Sequence, residues 1–273
     1  AANLRLIEED SVEVFMHVGV ARGHIAADIG EHVDSTEFVE TDPIIRSVMG
    51  NGMSNTRQPS TAELRWDYAE RVLRRADLAE NPIEQFGAWF SDALDKKIRE
   101  PNAMTLSTIG LDGNPTARTV LMKDFSDRGI SHFTNYTSRK AREMEAHPNV
   151  SALFLWKELE RQAHFRGRIE KLSPEESDEY FYSRPYNSRI GAWASRQSEM
   201  IPDRKWLSDR VEKYEKRYPE TDQKDCVPRP DFWGGYLLVP ESIEFWQGHS
   251  GRKHDRFVYT RKSDGWSIER WSP

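Results

Sequence analysis

Nine short runs with β-type patterning lie between residues 103 and 271, and this succession limits the folds open to the chain. Asp112-Gly113 marks a hairpin turn between the first two runs, and Asp127-Arg128-Gly129 introduces the third. Strands that follow one another through tight turns pair antiparallel, and this number of strands favours a barrel. The sequence therefore predicts a mainly β fold with flanking helices, an antiparallel barrel whose strands span residues 103–109, 117–125, 130–135, 150–156, 162–172, 234–239, 242–247, 256–261 and 266–271.

Helix signals precede and interrupt these strands. Leu64, Tyr68 and Val72 recur at helical spacing and predict a helix from residue 61 to 75. Asn81-Pro82 is typical of a helix start, with an apolar stripe following it. Three further helices are predicted: a short one capped by Ser138, one opened by the capping box of Ser173 and Glu176, and a charged one over residues 203–218.

The acidic charge of the chain is concentrated at its beginning. The net charge is −6, yet residues 1–52 hold ten acidic residues against three arginines, so the rest carries about +1. A near-neutral body with clustered cations suits small phosphorylated ligands better than long nucleic acid, which needs a broad basic face. Residues 1–52 end in the turn signal Gly50-Asn51-Gly52 and are interpreted as an extension of unknown role.

Several functional classes lack their signatures. No run of about 18 apolar residues is present, and the beginning lacks the pattern of a secretory signal, so we expect a soluble cytoplasmic protein. His17, His24 and His32 form no close ligand pair, and no metal site is predicted. The chain also contains no GxGxxG, P-loop, HExxH or GxSxG motif, which argues against the common dinucleotide, NTPase and hydrolase mechanisms.

Cationic side chains are concentrated at strand ends and helix starts, where they suit a phosphate group. Ser138-Arg139-Lys140 lies where a strand gives way to a helix, so backbone N–H groups, the helix dipole and two cations can converge on one anion. A solvated charged helix start is the alternative interpretation. The other cations of this kind are Arg118, Lys123, Arg184, Arg252 and Arg256.

Two further stretches have the composition of a binding site. In the run 118–123, β alternation places Arg118, Val120 and Met122 on one face and Thr119, Leu121 and Lys123 on the other. Residues 246–256 crowd an indole, two arginines and a histidine around two glycines, and Arg252, His254 and Arg256 share a side if the backbone is extended. A barrel strand with charged ends and a solvent-facing polar edge remain the alternatives.

Together these pieces resemble the pyridoxine/pyridoxamine 5′-phosphate oxidase family. The resemblance covers roughly residues 61–273 and depends on motifs that occur in the family's order and approximate spacing. They are Asn81-Pro-Ile-Glu-Gln-Phe86, Arg118-Thr-Val-Leu-Met-Lys123, Phe133-Thr-Asn-Tyr-Thr-Ser-Arg-Lys140, Tyr180-Phe-Tyr-Ser-Arg-Pro185, Ile190-Gly-Ala-Trp-Ala-Ser-Arg-Gln-Ser198, Phe232-Trp-Gly-Gly-Tyr236, Glu244-Phe-Trp-Gln-Gly248 and Arg252-Lys-His-Asp-Arg256.

The resemblance implies an FMN-binding split β-barrel and a homodimer with FMN at the subunit interface. With the extension 1–52, which has no counterpart in the family, we divide the chain into that extension, a lid or helical segment 53–80 and the FMN-binding oxidase domain 81–273. The implied cofactor contacts are Arg118, Thr119, Val120, Leu121, Met122, Lys123, Phe133, Thr134, Arg139, Lys140, Gln162, Gln197, Ser198, Trp246 and Arg256. The implied substrate contacts are Lys123, Tyr180, Arg184, Ser188, Arg252 and His254, together with Arg65 and Tyr68 from a segment that folds over the substrate.

The implied reaction oxidises pyridoxamine 5′-phosphate or pyridoxine 5′-phosphate with O2 to pyridoxal 5′-phosphate and hydrogen peroxide, and the amine also consumes water and releases ammonia. We interpret Arg252 and His254 as the catalytic pair that orients the substrate and manages its charge. The main alternative is another split-barrel flavoprotein, either a reductase or a flavin or pyridoxal phosphate binder without turnover. Nucleic-acid binding is the third interpretation, which the acidic total charge opposes.

Overall fold

The computed structural model of the chain describes residues 67–68 and 71–273. Arg65 and the three histidines at positions 17, 24 and 32 lie outside the described residues. Within them, nine strands form one antiparallel sheet. The strands are β1 (Ala103–Ile109), β2 (Pro115–Leu121), β3 (Asp124–Ser126), β4 (Gly129–Asn135), β5 (Asn149–Trp156), β6 (Arg161–Lys171), β7 (Trp233–Gln247), β8 (Asp255–Lys262) and β9 (Gly265–Trp271).

Strand β7 organises the sheet. One of its edges pairs with β6 along nearly its whole length. The other edge is shared, because residues 233–238 pair with β4 and residues 242–247 pair with β8. The remaining order is β2-β1-β5-β6 on one side of β7, β3 beyond β4, and β9 beyond β8. This curled sheet with a divided edge is the split β-barrel that the sequence predicted.

Two predicted strand boundaries were wrong. The predicted strands 234–239 and 242–247 are one continuous strand, since a register shift opposite Arg166 and Gly167 accommodates Pro240 without ending the pairing. Conversely, the predicted strand 117–125 is divided. The Met122 N–H donates to the carbonyl of Asn102, whereas the Lys123 N–H donates to the carbonyl of Ser131. The chain thus turns here from pairing with β1 to pairing with β4.

Helices pack around this sheet, and their caps follow the predicted residues. Asn81, Ser138, Ser173 and Asp203 each accept a backbone N–H at a helix start, and Ser173 also forms the predicted box. None of the described helices is both long and apolar enough to cross a bilayer. The helices are α1 (Pro82–Asp95), α2 (Arg139–Ala146), α3 (Pro174–Ser183), α4 (Tyr186–Ala194) and α5 (Arg204–Arg217).

The main core lies between helix α1 and the sheet. Phe86 is fully buried, and its ring contacts four aromatic rings of β3, β5 and β6 at centroid distances of 5.0–6.0 Å. A second cluster of buried residues lies among α3, α4 and the start of β7, and includes Phe181, Ile190 and Trp233. Burial of these aromatic side chains supplies much of the stabilisation of the barrel and of the helices around it.

The segment before α1 corrects another prediction. Residues 67–68 and 71–74 are not helical, although a helix was predicted over 61–75; only a short 3-10 turn forms at Arg75–Asp77. The backbone N–H of Leu73 donates instead to the Asp255 carboxylate at 2.9 Å, and Tyr68 packs against Trp246 of β7 and against His254, which immediately precedes β8. Contacts to β7 and β8 thus replace the internal hydrogen bonds of a helix.

Candidate functional site

Lys123 and Arg184 each lie over one ring of the same group of stacked aromatic residues. The ring of Phe133 stacks on Tyr180 at a centroid distance of 4.0 Å and on Trp233 at 5.5 Å. The Lys123 ammonium lies 5.8 Å from the Tyr180 centroid, and the Arg184 guanidinium lies 4.6 Å from the Trp233 centroid. Cation–π attraction and the rigidity of stacked rings hold these two cations in place.

A second group of cations adjoins this stack at the start of helix α2. The Gln197 amide oxygen accepts from the Lys140 ammonium at 3.0 Å and from the Thr134 hydroxyl at 2.9 Å. Ser198, the next residue, has the uncommon φ of 70°. His132, on the same strand β4, is fully buried. Burial and the positive charges of Lys140 and Arg118 lower the pKa of His132 to about 3. His132 is therefore neutral and adds no further charge.

Arg118 and Arg139 share one carboxylate. Glu143 of α2 accepts from Arg118 at 2.7 Å and from Arg139 at 2.8 Å. The same carboxylate also accepts the hydroxyls of Thr108 and Thr116. We group these cations with the two rings and two polar residues beside them and call the group the β4 cluster. Its members are Arg118, Lys123, Phe133, Thr134, Arg139, Lys140, Tyr180, Arg184 and Gln197.

A different set of predicted residues meets at the far end of β7. Trp246 pairs in register with Gln162 on β6 and with Arg256 on β8, so the three residues lie side by side across neighbouring strands. The Arg256 guanidinium forms an ion pair with Glu244 at 2.6 Å. With Tyr68, Arg252 and His254, these residues form what we call the β8 cluster.

His254 is held by ring contacts and by the backbone. Its ring lies 4.7 Å from the Trp246 centroid and 5.3 Å from that of Tyr68, and its Nδ1 accepts the N–H of His249 at 3.1 Å. Burial, followed by the proximity of His249 and Arg252, lowers the pKa of His254. His254 is therefore neutral near pH 7, and because Nδ1 accepts, Nε2 carries the proton.

The backbone at Arg252 is not extended, so the condition under which Arg252, His254 and Arg256 would share a side of a strand is not met there. Ser250–Arg252 form a 3-10 turn, with φ values of 62° at Gly251 and 59° at Arg252. A 15-residue strand ends just before, and the turn lets the chain reverse into β8. Arg252 and His254 nevertheless line the same shallow cavity, of about 440 Å³, together with the end of the chain.

Asp255 joins the β8 cluster to the segment before α1. It is almost fully buried and accepts both the Leu73 N–H and the guanidinium of Arg270 on β9. Leu73 is thus anchored to β8, and Tyr68 contacts the ring of His254, the residue before Asp255.

The two clusters lie at opposite ends of one strand. Thr134 of the β4 cluster pairs with Gly234, and Gln162 of the β8 cluster pairs with Trp246. Twelve residues of extended chain separate those two β7 positions, which corresponds to about 40 Å along the strand. The two clusters are therefore attached to different halves of β7.

The remaining predicted site residues have varied surroundings. Val120 and Met122 are buried in the core, Leu121 is half-buried and Thr119 is exposed, in agreement with the predicted alternation. Ser188 is half-buried on α4. Sequence reasoning missed Glu143, Trp233 and Asp255, although Trp233 lies within a quoted motif and Asp255 within another.

Comparison with known proteins assigns the chain to a family. The family model described as pyridoxamine 5′-phosphate oxidase matches residues 90–218, and that of the pyridoxine 5′-phosphate oxidase C-terminal dimerisation region matches residues 233–273. A pyridoxine/pyridoxamine 5′-phosphate oxidase of Burkholderia lata is 54% identical over 215 residues, which cover 78% of this chain and 98% of that protein. The chain belongs to the pyridoxine/pyridoxamine 5′-phosphate oxidase family.

Other members and solved structures agree with this assignment. The family member of Thermosynechococcus vestitus is 51% identical over 212 residues, covering 78% of this chain and 98% of its own. The crystal structure of PhzG from Burkholderia lata, in complex with tetrahydrophenazine-1-carboxylic acid, has a TM-score of 0.68 at 30% identity and covers 75% of this chain and 99% of that one. A pyridoxamine 5′-phosphate oxidase-related, FMN-binding protein of Nostoc punctiforme, at 16% identity and TM-score 0.55, shares the fold.

Proposed function

We propose that the protein oxidises pyridoxamine 5′-phosphate and pyridoxine 5′-phosphate to pyridoxal 5′-phosphate in vitamin B6 metabolism. The amine, O2 and water give the aldehyde, ammonia and hydrogen peroxide, whereas the alcohol and O2 give the aldehyde and hydrogen peroxide. Roughly 50% identity to family members over nearly their whole length supports this substrate.

The residues of the β4 cluster fit the phosphate of FMN. Arg118, Arg139 and Lys140 carry three positive charges against the one carboxylate of Glu143, which leaves two for a phosphate dianion. The start of α2 adds backbone N–H groups and the positive end of the helix dipole. Thr134, Gln197 and Ser198 of the same subunit, and Gln162, Trp246 and Arg256 of its partner, would hold the rest of the cofactor.

The substrate phosphate is assigned to the other cations of the β4 cluster. Lys123 and Arg184 again supply two positive charges, and Tyr180 and Ser188 supply hydroxyl donors. The aromatic stack fixes both cations before the ligand arrives, so little side-chain entropy is lost on binding. This arrangement supports a phosphorylated ring as the ligand.

Two subunits are needed for one complete site in this proposal. The β8 cluster lies about 40 Å along β7 from the β4 cluster of its own chain. The match to the dimerisation region covers β7, β8 and β9, which carry most of the β8 cluster. A homodimer in which each β8 cluster faces its partner's β4 cluster accounts for both observations.

The chain's own residues orient the substrate and manage its charge. Bound FMN would supply the two-electron oxidation of the substrate's C4′ carbon, with O2 as the final electron acceptor. His254, neutral and protonated on Nε2, donates a hydrogen bond to the substrate, and Arg252 contributes a positive charge beside it. Tyr68 covers His254 and Trp246 and limits the access of water to that side.

The position of Lys123 and Arg184 on one aromatic stack is the observation that carries the proposal, because a site for an unphosphorylated ligand has no need for it. The similarity to PhzG favours a second candidate, a flavin-dependent enzyme for a carboxylated ring compound. One carboxylate carries half the negative charge of a phosphate dianion. It would therefore neutralise only one of the two positive charges of Lys123 and Arg184.

A single assay distinguishes these functions. The purified protein is examined for the visible absorption of flavin, and peroxide and aldehyde formation are measured with pyridoxamine and pyridoxine, each with and without its 5′-phosphate. We expect a yellow protein whose turnover requires the phosphate. A protein that binds flavin but oxidises none of the four compounds would favour the second candidate. A colourless protein that gains no activity from added FMN would refute both candidates.

A further inference from the structure

Glu143 is the most deeply buried acidic group among the described ion pairs. Its side chain is 1% exposed, and its two oxygens accept from four side chains. The Oε2 atom accepts from Thr108, Thr116 and Arg118 at 2.6–2.8 Å, and the Oε1 atom accepts from Arg139 at 2.8 Å. One carboxylate thus joins strands β1 and β2 to helix α2.

Burial of a carboxylate is unfavourable unless its charge is compensated. Burial by itself raises the pKa of Glu143, but the hydrogen bonds from Thr108, Thr116, Arg139 and Arg118 outweigh it and lower the pKa to about 2. The group is therefore ionised at every pH at which the protein is expected to work. A permanent negative charge at this position requires an explanation beyond packing, since an apolar side chain would fill the space without it.

The two arginines are held in different ways by that charge. Arg118 uses both terminal nitrogens inside the protein, on Leu106, Thr108, Thr116 and Glu143, and its side chain is 16% exposed. Arg139 gives only its Nε to Glu143, and its side chain is 61% exposed. Glu143 therefore fixes the guanidinium of Arg118 inside the protein. It holds Arg139 only through Nε, so the two terminal nitrogens of Arg139 can still contact a ligand.

We propose that Glu143 is a positioning residue that anchors Arg118 inside the protein and directs the exposed guanidinium of Arg139 toward the phosphate group of a flavin. This inference rests on the proposed function and assigns to that site a residue that does not itself touch the ligand. Its effect would be specific to phosphate, because in the proposed site these cations serve the phosphate group, which riboflavin lacks. Loss of Glu143 should therefore weaken FMN binding and leave riboflavin binding nearly unchanged.

Two opposing roles give different results. If Glu143 served only to stabilise the fold, its replacement would weaken both flavins equally. If its negative charge merely competed with the phosphate for the arginines, its removal would strengthen FMN binding. An orienting role alone predicts a loss confined to the phosphorylated flavin.

The experiment compares the wild-type apoprotein with Glu143→Gln, which keeps the shape and removes the charge. Glu145→Gln is the matched control, because Glu145 lies on the same helix but pairs with Lys171 at the surface. Thr116→Val is a milder variant that removes one hydroxyl from the carboxylate and keeps the charge. Dissociation constants for FMN and riboflavin are measured by flavin fluorescence, and folding is followed by circular dichroism.

We expect Glu143→Gln to raise the FMN dissociation constant about tenfold, Thr116→Val about threefold and Glu145→Gln less than about twofold, with riboflavin constants unchanged. If Glu143→Gln does not fold, Thr116→Val decides the question by the same ratio of FMN to riboflavin affinity. Equal losses for the two flavins, no loss in either variant, or tighter FMN binding would overturn the inference. A wild-type protein that binds neither flavin would refute the proposed function and this inference with it.

Discussion

The guanidinium of Arg184 lies over the indole of Trp233, with 4.6 Å between the guanidinium carbon and the ring centroid. Trp233 is buried at the first position of β7 and stacks in turn on Phe133 and, more distantly, on Tyr180. A residue that touches no ligand in the proposed site thus sets the position of one of its phosphate-binding cations.

Replacement of Trp233 should affect substrate affinity more than turnover. Trp233→Leu removes the ring face beneath Arg184, and we expect KM for pyridoxine 5′-phosphate to rise about fivefold, as for the loss of about 1 kcal/mol of cation–π attraction. Trp233→Phe keeps a ring and should stay within about twofold of the wild-type KM. Steady-state kinetics of both variants, with thermal unfolding as a check on folding, measure the difference. Equal KM values for the Leu and Phe variants would contradict this role.

The hydrogen bond from the His249 N–H to His254 Nδ1 predicts which substitutes are tolerated. A glutamine amide nitrogen can occupy the position of histidine Nε2, whereas an asparagine amide is too short to reach it. We therefore expect His254→Gln to retain at least about ten times more of kcat/KM than His254→Asn. The comparison uses the same substrate concentrations and the flavin-saturated protein.

The protonation of His254 provides an independent check on the same residue. Because burial and neighbouring charges lower its pKa, the neutral form persists below the usual titration range of histidine. Nuclear magnetic resonance of the ring protons should show a midpoint below about 6.5, and Arg252→Ala should move that midpoint upward by removing a nearby positive charge. A wild-type midpoint above the usual range would mean that His254 donates as a cation.

Mixed dimers test whether each site uses two subunits. A heterodimer of Lys123→Ala and His254→Ala subunits contains one intact site if the β4 and β8 clusters come from different chains, and none if they come from the same chain. We expect the purified heterodimer to recover about half of the wild-type activity. The reciprocal control pairs a doubly substituted subunit with a wild-type one and should be inactive. The opposite pattern would place both clusters of a site on one chain.

Acid should weaken the fold through Glu143. Its pKa is lowered to about 2 in the folded protein, so its stabilisation is complete above the ordinary carboxyl pKa of about 4.5 and is lost as pH falls toward 2. The lost contribution is on the order of 3 kcal/mol. Urea unfolding at several pH values should show that the stability difference between wild type and Glu143→Gln shrinks over this window. A stability difference that stays constant as the pH falls from about 6 to about 3 would count against the ion pairs.

Local sequence patterns predicted most elements of the fold. Alternation and turn residues identified the strands, and cap residues such as Asn81 and Ser173 marked helix starts. The errors occur where distant parts of the chain compete for a backbone group. Pro240 is tolerated inside β7 because a register shift accommodates it, and Leu73 leaves a predicted helix because Asp255 accepts its N–H. Neither partner is visible from the local pattern.

For the candidate site, the sequence identified cations that the structure brings near one another, but it did not identify the residues that orient them. Arg139 and Glu143 are four residues apart, a spacing that usually indicates a surface ion pair on a helix. Only the packing of α2 against β1 and β2 buries the carboxylate and brings Arg118 to it. The role of Trp233 likewise depends on rings contributed by β4 and α3.

The length of β7 has a consequence for how the protein behaves in dilute solution. In the proposed dimer, about twelve residues of one strand separate the two halves of a site, so a subunit without its partner would hold only unmatched halves. Specific activity would then fall as the protein is diluted below the dissociation constant of the dimer. The specific activity of such a protein would therefore measure the fraction of its subunits that are present as dimers.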